Sequence, residues 1–455
     1  MRRRARTTVL WLGLTLAFVA LRLNLSPVYM NGDEAIVLAV SDGMRARGDL
    51  DTNWRLAALP DAFRYDQYNF SSYHLVAHGW LTAVGDRLPP LLAARLLNLI
   101  LQAGAVIALL LALRRHGATP AERLAVAALL TVAPTGVHDA MMARPESFLY
   151  LLFAILIWLA AGVPTAARGG AAAALLGLGV ATKVTFLTAA LLFAPAAARA
   201  ACRRPRAALA GGLAVVLLAA AGFVTGAPHA VADPTALLNG LTALHAQYTG
   251  GHPPHSLPDS TWPRQLGQMI GFCLVIYGPL LPAALLPALV ERRGWWLGLW
   301  ASAVATLALF SAVPVFFERN LAVAFFALPA LMVFGTQPWP RLRAATLALA
   351  LVPMIGWSVT VALAAHFAPT WRQEFERRHG LGVVTTAWLR PALGSCRGTL
   401  AIVDYGDPLS AAQVARVRAA GHREIATYHS PFEWVPTSTL HTYLDRTTHY
   451  FDCTP

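Results

Sequence analysis

The sequence is poor in charged residues and almost devoid of lysine. Charged side chains make up 13% of its 455 residues, whereas they make up about a quarter of a typical soluble domain. Lys183 is the only lysine, and 56% of the residues are hydrophobic. This composition argues against a soluble globular protein and indicates a polytopic membrane protein.

Several sequence signatures are also missing. The four cysteines include no CxxC pair, and the chain has no GxGxxG motif and no internal repeat, so a nucleotide site has little support. Arginines crowd the first six residues as in a signal peptide, but no small-residue cleavage site follows Leu23, which predicts an uncleaved first span. Cys396 and Cys453 share the polar C-terminal tail, where an oxidising compartment would permit a disulfide.

The formal net charge of +13 does not require nucleic acid as a partner, because positive charge flanking the cytoplasmic ends of helices explains it better. A span needs about 20 apolar residues. Such runs fall near 8–26, 89–113, 120–138, 147–163, 170–182, 184–200, 207–225, 267–290, 295–313, 320–336 and 344–366. With the N-terminus in the cytoplasm, these eleven spans place every loop arginine cluster inside and the C-terminus outside.

The topology depends on residues 170–200, which are too short for two full spans and too long for one. A single helix would turn the later arginine clusters outward. Two short helices that meet near Lys183 keep them inside, and we prefer this interpretation.

The loops and the tail complete the predicted architecture. The first outer loop, 27–88, contains an amphipathic helix (Ala35–Arg45) and a surface helix (Ser71–Val84). The second outer loop, 226–266, is rich in Pro, Gly and His and is typical of a lid or a disordered segment. We predict an all-α polytopic membrane domain over 1–367 and a small extracytoplasmic α/β domain over 368–455. Its predicted elements are a strand at 399–405, a helix at 411–420 and a strand at 424–428.

Several charged residues lie at the outer boundary of the membrane in this topology, where the positive-inside rule gives no reason for them. They are Asp33 and Glu34, Arg95, Arg144 and Glu146, Lys183, and Arg319. Each could snorkel to lipid headgroups or pair with a neighbour. For the whole set to lie at one depth, that explanation requires several coincidences.

A substrate site between water and lipid explains the set better. A carboxylate can take a proton from an attacking hydroxyl, and Asp33 is our candidate for this base, with Glu34 as a supporting or metal-facing group. Arginine and lysine can stabilise charge that builds on a departing phosphate. Because phosphate leaves well as an anion, no general acid is strictly required.

These residues resemble the GT-C superfamily of polyprenyl-phosphate-sugar-dependent glycosyltransferases, nearest the protein mannosyltransferase and aminoarabinose transferase group. The resemblance covers about residues 1–340 and rests on four motifs in order. They are GDE at 32–34, ARPE at 143–146, GLGVATK at 177–183 and FFERN at 316–320.

The resemblance implies a fold with two surface helices in the first outer loop, a lipid-facing donor groove and a catalytic Asp at Asp33. It implies that Lys183 and Arg319 contact the lipid phosphate and that Glu146 shapes the pocket, and Arg144 is a third candidate for direct contact with the phosphate. Tyr65 and Tyr68 of the first outer loop are further candidates for shaping the pocket. The stretch 68–74 departs from the proline-containing pattern of many relatives, so the sugar and acceptor specificity do not transfer.

The expected partners are a polyprenyl-phosphate sugar donor, the bilayer, and an acceptor that is a lipid, a glycan or a protein. No cofactor is expected to be required, although some relatives bind a divalent metal; His74, His78, His252 and His255 have no zinc-type context. The main alternative is a transporter or lipid flippase, in which charges lie near the bilayer midplane and the halves are often paired. A polymer ligase that uses a lipid-diphosphate donor is a minor alternative.

Overall fold

The chain forms a bundle of apolar helices followed by a small sheet. The structure, a computed structural model, describes residues 2–27, 32–59, 64–162, 165–249, 261–285, 294–313, 318–381, 384–386, 398–404, 408–432 and 447–452. Cys396 and Cys453 lie outside the described residues, so their disulfide stays a prediction.

The helices and strands follow the predicted order of spans. The α-helices are α1 (Arg2–Arg22), α2 (Gly32–Arg47), α3 (Ser71–Val84), α4 (Pro90–Arg115), α5 (Pro120–Thr131), α6 (Pro134–Ala140), α7 (Glu146–Ala160), α8 (Ala166–Thr182), α9 (Ala194–Arg203), α10 (Pro205–Gly226), α11 (Pro228–Ala232), α12 (Pro234–Thr249), α13 (Trp262–Tyr277), α14 (Leu281–Leu285), α15 (Gly294–Ser311), α16 (Ala322–Gly335), α17 (Pro340–Arg378) and α18 (Pro408–Ala419). Shorter 3-10 helices cover Trp54–Leu56, Gly85–Arg87 and Glu318–Leu321, and a long one covers Val184–Phe193. The strands are β1 (Val384–Thr386), β2 (Thr399–Asp404), β3 (Glu424–His429) and β4 (Thr447–Asp452).

Many of these helices are long and apolar enough to cross a membrane. Within the described residues, 5 stretches qualify by length and composition: Pro90–Arg115, Val184–Arg203, Pro205–Gly226, Glu318–Gly335 and Pro340–Arg378. Shorter apolar helices occupy Thr7–Arg22, Glu146–Ala160, Ala166–Thr182 and Trp296–Ser311. Each predicted span overlaps one of the helices or a consecutive pair of them, so the chain is an integral multi-pass membrane protein.

Proline marks where many of the helices begin. A proline occupies the first turn of several helices, including those that begin at Pro90, Pro120, Pro134, Pro205 and Pro340. Proline has no backbone N–H, and at this position an N–H would have no acceptor within the helix, so no hydrogen bond is lost. The same signal opens α11 and α12 inside the second outer loop. The expectation of a disordered loop is therefore wrong for residues 228–249, the expectation of a lid stays a prediction, and residues 250–260 lie outside the described part.

Helix α16 forms the centre of the bundle. Every residue from Ala322 to Gly335 is buried, and the apolar cluster around it includes residues of α4, α7, α13 and α15. A helix that is apolar on all sides is typical of such a central position. The N-terminal end of α16 therefore fixes the depth at which Arg319 and Asn320 lie.

The chain reverses direction at Lys183, as the preferred interpretation predicted. Helix α8 ends at Thr182, Lys183 has extended backbone (φ −148°, ψ 124°), and the long 3-10 helix begins at Val184. Gly169 near the start of α8 lines the same cavity as Phe193 at the end of the 3-10 helix, so the two segments run antiparallel. The two short segments are confirmed.

Helices α8 and α10 touch through their glycines. An added Cβ on Gly177 would collide with the backbone of Ala219 and Phe223, and one on Gly222 would collide with the backbone of Ala174. Small residues at such positions let helix backbones approach closely in membranes. This contact holds α10 against the helix that ends at Lys183.

A bulky residue at Gly222 should separate α8 from α10. We expect Gly222→Val to destabilise the protein by about 1–3 kcal/mol, the usual range for overpacking. Thermal unfolding in detergent measures this as a lower melting temperature. Gly211→Val on the same helix is the control, because no atom lies within 4 Å of an added Cβ there. Equal melting temperatures for the two variants would contradict the close contact.

The C-terminal sheet rests on the end of α17. The strand order is β1-β2-β4-β3, with β4 antiparallel to both β2 and β3. Strands β2 and β3 thus run parallel, joined through α18, with β4 between them. The Tyr450 hydroxyl of β4 donates to Glu376 Oε1 over 2.8 Å, and its ring stacks on Phe375 of α17. Helix α17 continues through the predicted domain boundary at 367/368, and β4 is an element that the sequence pattern did not indicate.

Candidate active site

The ends of four helical segments meet at one place in the bundle. Asp33 and Glu34 lie in the first turn of α2, Glu146 begins α7, and Lys183 follows α8. Arg319 lies in the 3-10 turn that leads into α16. Because α2 and α7 both direct their N-terminal ends here, their backbone dipoles favour negative charge at this place.

Glu34 is fully enclosed by polar partners. Arg95 donates to both of its carboxylate oxygens, over 2.7 and 2.9 Å, and the backbone N–H of Ala143 donates over 3.1 Å. The Glu34 and Arg95 side chains are 0% and 2% exposed. Glu34 therefore ties α2 to α4 and to the segment before α7, which fits the supporting role predicted for it.

Asp33 has a different environment from its neighbour. Its carboxylate accepts a hydrogen bond from Arg319 Nη1, and the two side chains are 16% and 17% exposed. Of the ion pairs that the described residues form at this junction, this pair has the most exposed members. An incoming molecule can therefore reach Asp33 and Arg319 directly.

Glu146 joins two cations behind that accessible pair. Its carboxylate accepts from Lys183 Nζ over 2.6 Å and from Arg144 Nε over 3.3 Å. Arg144 also donates to Asp139 Oδ1 over 3.2 Å, and the Tyr150 hydroxyl donates to Asp139 Oδ2 over 2.6 Å. The buried carboxylates of Glu146 and Asp139 thus each have a cation within hydrogen-bonding distance, as burial of charge requires.

Lys183 is held from several sides. Besides Glu146, its ammonium group donates to Asn320 Oδ1 over 3.3 Å and lies 5.6 Å from the centre of the Phe70 ring. Asn320 Nδ2 in turn donates to the hydroxyl of Tyr248 over 2.9 Å. Since Tyr248 is near the end of α12, this chain of hydrogen bonds links the second outer loop to the lysine.

Asn98 fixes the segment that precedes α7. Its amide donates to the backbone carbonyls of Met142 and Arg144, the latter over 2.7 Å, and it accepts from the hydroxyl of Tyr73 over 2.7 Å. The position of Arg144 thus depends on α3 and α4 as well as on its own loop. A buried amide with all its partners supplied gives such a loop one conformation.

The two predicted tyrosines lie in the first outer loop. Burial raises the pKa of Tyr65, with the Asp33 carboxylate adding to the shift, and burial raises the pKa of Tyr68 to about 12. Both phenols are therefore protonated at neutral pH and can donate hydrogen bonds. The Tyr68 ring packs against Ala181 at the end of α8 and against Ala227 and Ala230, which positions it beside the Lys183 turn.

The structure brings the predicted charged residues to one junction. They are Asp33, Glu34, Arg95, Arg144, Glu146, Lys183 and Arg319, which lie in its ion pairs. Arg144 is fully buried between two carboxylates, which favours a positioning role over the direct phosphate contact predicted for it.

Sequence reasoning missed three participants. Asp139 follows a predicted span, and its adjacency to His138 and its closeness to the ARPE motif were the available signal. Asn98 lies inside a predicted span, where a buried amide indicates a specific partner. Tyr248 carries no signal, because only the folded chain brings α12 next to Asn320.

The described residues contain no group of three or more His, Cys, Asp or Glu side chains that could hold a metal ion. Glu34, the predicted metal-facing candidate, has both carboxylate oxygens bonded to Arg95. The dependence on a metal stays open to experiment.

Neutralising each of the adjacent acids should separate a structural role from a reactive one. Glu34→Gln leaves the Arg95 guanidinium buried without its counter-ion, and breaking a buried pair costs about 3–5 kcal/mol. Asp33→Asn removes a partly exposed pair and should cost about 1 kcal/mol or less. Thermal unfolding of both variants in detergent measures the difference. If Asp33→Asn proved the more destabilising, the assigned burial pattern would be wrong.

Comparison with known proteins places this geometry in a known fold. No family model and no curated protein sequence matches the chain. Among solved structures, ArnT from Cupriavidus metallidurans bound to undecaprenyl phosphate superposes with a TM-score of 0.59 at 12% identity, covering 99% of this chain and 98% of that one. The apo state of the same ArnT gives 0.58 at 13% identity, covering 100% and 99%. The chain thus has an ArnT-like fold over its whole length, and the predicted GT-C-like fold is confirmed.

Proposed function

We propose that the protein is an inverting glycosyltransferase that moves a sugar from a polyprenyl-phosphate carrier to an acceptor hydroxyl or amine. One observation carries the proposal: an accessible carboxylate, Asp33, lies in a layer with Arg319 and Lys183 at the helix ends. The ArnT-like fold supports it, because ArnT of that fold has been crystallised with undecaprenyl phosphate.

The cations have the chemistry for a lipid phosphate. Arg319 has exposed surface and Lys183 lies just behind it with 8% exposure. A phosphate that approaches this junction meets the guanidinium, the ammonium and the N-terminal end of α7, and each of these favours negative charge. In the transfer, they stabilise the carrier phosphate as it departs.

Asp33 supplies the base on the other side of the reaction. Its carboxylate takes the proton of the acceptor as the acceptor oxygen or nitrogen attacks the anomeric carbon of the sugar. The bond from that carbon to the carrier phosphate oxygen breaks, and the phosphate leaves as an anion. Attack opposite the leaving phosphate inverts the anomeric configuration.

Arg319 links donor binding to proton removal by Asp33. In the described arrangement its guanidinium pairs with Asp33. The phosphodiester of the donor is also an anion, and its two free oxygens can accept from the paired N–H groups of the guanidinium, so it competes with Asp33 for Arg319. Donor binding thus releases Asp33 to accept a proton, and the base becomes available when the donor is in place.

The proposal extends to location and partners. We place the site at the outer face of the cytoplasmic membrane, with the N-terminus in the cytoplasm and the C-terminal domain outside, as the arginine distribution favours. The acceptor is a lipid, a glycan or a protein, and no cofactor takes part in the proposed steps. A transporter or flippase is less well supported, because the charged layer lies at helix ends and not at the midplane.

The base is tested with Asp33→Asn. We expect the transfer rate to fall at least about 100-fold, the usual contribution of a positioned base. The assay incubates the purified protein with undecaprenyl-phosphate-linked sugars and a membrane extract as acceptor, and it measures released undecaprenyl phosphate. Asp42→Asn is the control, since Asp42 lies on the same helix with an exposed side chain. Wild-type rates for Asp33→Asn would refute the mechanism.

The phosphate site is tested with Lys183→Gln. We expect undecaprenyl phosphate to bind roughly tenfold more weakly or worse, the usual effect of losing a hydrogen bond from a charged group. Native mass spectrometry of the purified protein titrated with this lipid measures the change. Arg341→Gln, an exposed arginine at the far end of α17, is expected to bind as the wild type does. Unchanged binding to Lys183→Gln would remove the lysine from the donor site.

A further inference from the structure

A groove of about 930 Å³ opens at the other end of the bundle, between α8, α9 and α10. Its walls are mostly alanine and glycine, with Leu176, Phe193 and Val215 as the larger apolar members. The outer side of α10 is apolar too, since Leu209 and Leu213 are 78% and 62% exposed. The groove therefore opens toward lipid and has the chemistry of a hydrocarbon-binding surface.

Arginines line one end of this groove. Arg203 and Arg204 belong to its walls. A neighbouring cavity of about 380 Å³ shares Gly169 and Phe193 with it and is lined by Arg168 and Arg199. In the part of the chain that the structure describes, no carboxylate forms an ion pair with Arg199, Arg203 or Arg204. These guanidinium groups can therefore pair with an anion.

The groove is separate from the candidate active site. Lys183 follows the C-terminal end of α8, whereas Arg168 and Gly169 lie in its first turns. A helix of 17 residues is about 25 Å long, so the two places lie near opposite faces of the membrane. The donor phosphate bound at Lys183 cannot reach these arginines with its own headgroup.

We propose that this groove binds an anionic glycerophospholipid, with an acyl chain along the alanine and glycine wall and the headgroup phosphate on Arg203 and Arg204. An apolar channel that ends in basic residues matches the two halves of such a lipid. The positive-inside pattern explains why arginines occur at this face, but it does not explain an apolar groove that leads to them. Basic pockets between transmembrane helices bind anionic headgroups for this physical reason.

The occupant is a lipid and not a free anion, because most of the groove wall is apolar. An added Cβ at Gly211 or Gly212 meets no atom within 4 Å, so these positions leave the width that an acyl chain needs. Substituting one of them fills the groove without a clash against the backbone. The basic end and the apolar wall of the groove can therefore be altered by separate substitutions.

The test titrates the purified full-length protein with dioleoyl phosphatidylglycerol and with dioleoyl phosphatidylcholine and follows binding by native mass spectrometry. We expect the wild type to prefer the anionic lipid. Arg203→Gln combined with Arg204→Gln should weaken phosphatidylglycerol binding roughly tenfold or more, because each arginine attracts the anionic headgroup. Gly212→Leu should weaken binding of both lipids, because the leucine side chain occupies the path of the acyl chain.

Matched controls use the same substitutions elsewhere. Arg114→Gln combined with Arg341→Gln removes two exposed arginines of the same face, and Gly13→Leu places the same leucine on α1, where an added Cβ also meets nothing. Both should bind lipid as the wild type does. Equal affinity of the wild type for the two lipids, unchanged binding to either groove variant, or displacement by inorganic phosphate alone would overturn the proposal. Because Asp33 and Lys183 are untouched, these outcomes are independent of the glycosyl-transfer proposal.

Discussion

The fold depends on pairing charges that the bundle buries. Removing a carboxylate or an ammonium group from water costs several kcal/mol for each ion, and the cost is offset only when partners lie at hydrogen-bonding distance. Glu146 meets this condition by accepting from both Lys183 and Arg144. Since these residues belong to different helices or to the loops that join them, their pairing requires the helix ends to meet at one depth. The need to pair these buried charges therefore also determines the geometry of the site.

The need to pair buried charges gives the adjacent acids Asp33 and Glu34 different roles. Neighbouring residues on a helix point about 100° apart, so Asp33 and Glu34 cannot both face the same partner. Glu34 points into the bundle, where Arg95 and the Ala143 N–H satisfy it, whereas Asp33 points toward Arg319 and keeps some exposure. The buried member holds α2 in place, and this fixes the direction in which the exposed member points. A carboxylate that is positioned by its neighbour but is itself accessible is suited to act as a base.

The depth of the charged residues could be predicted from the sequence, but their partners could not. Apolar runs and arginine clusters located the helix ends, and they placed Lys183 at a turn that the structure confirms. Which cation meets which carboxylate depends on the rotation of each helix about its axis, and the apolar pattern of a single sequence does not record that rotation. Asp139 shows the limit: it pairs with Arg144 because α6 turns back toward α7, and periodicity does not encode that direction. The helices α11 and α12 were missed for a related reason, since polar loop composition concealed two proline-initiated starts.

The lengths of the segments around Lys183 explain why the lysine needs its partners. Helix α8 has 17 residues and is about 25 Å long, shorter than the roughly 30 Å hydrocarbon core of a bilayer. A segment that begins at the arginine-rich face therefore ends before it clears the core, and Lys183 lies inside the boundary instead of at the water. The returning segment compensates, because its 10 residues of 3-10 helix rise about 20 Å and the 10 residues of α9 add about 15 Å. The 3-10 helix and α9 together are thus long enough to cross the membrane with twenty residues, and the lysine is held at a depth where the Glu146 carboxylate, and not bulk water, is its partner.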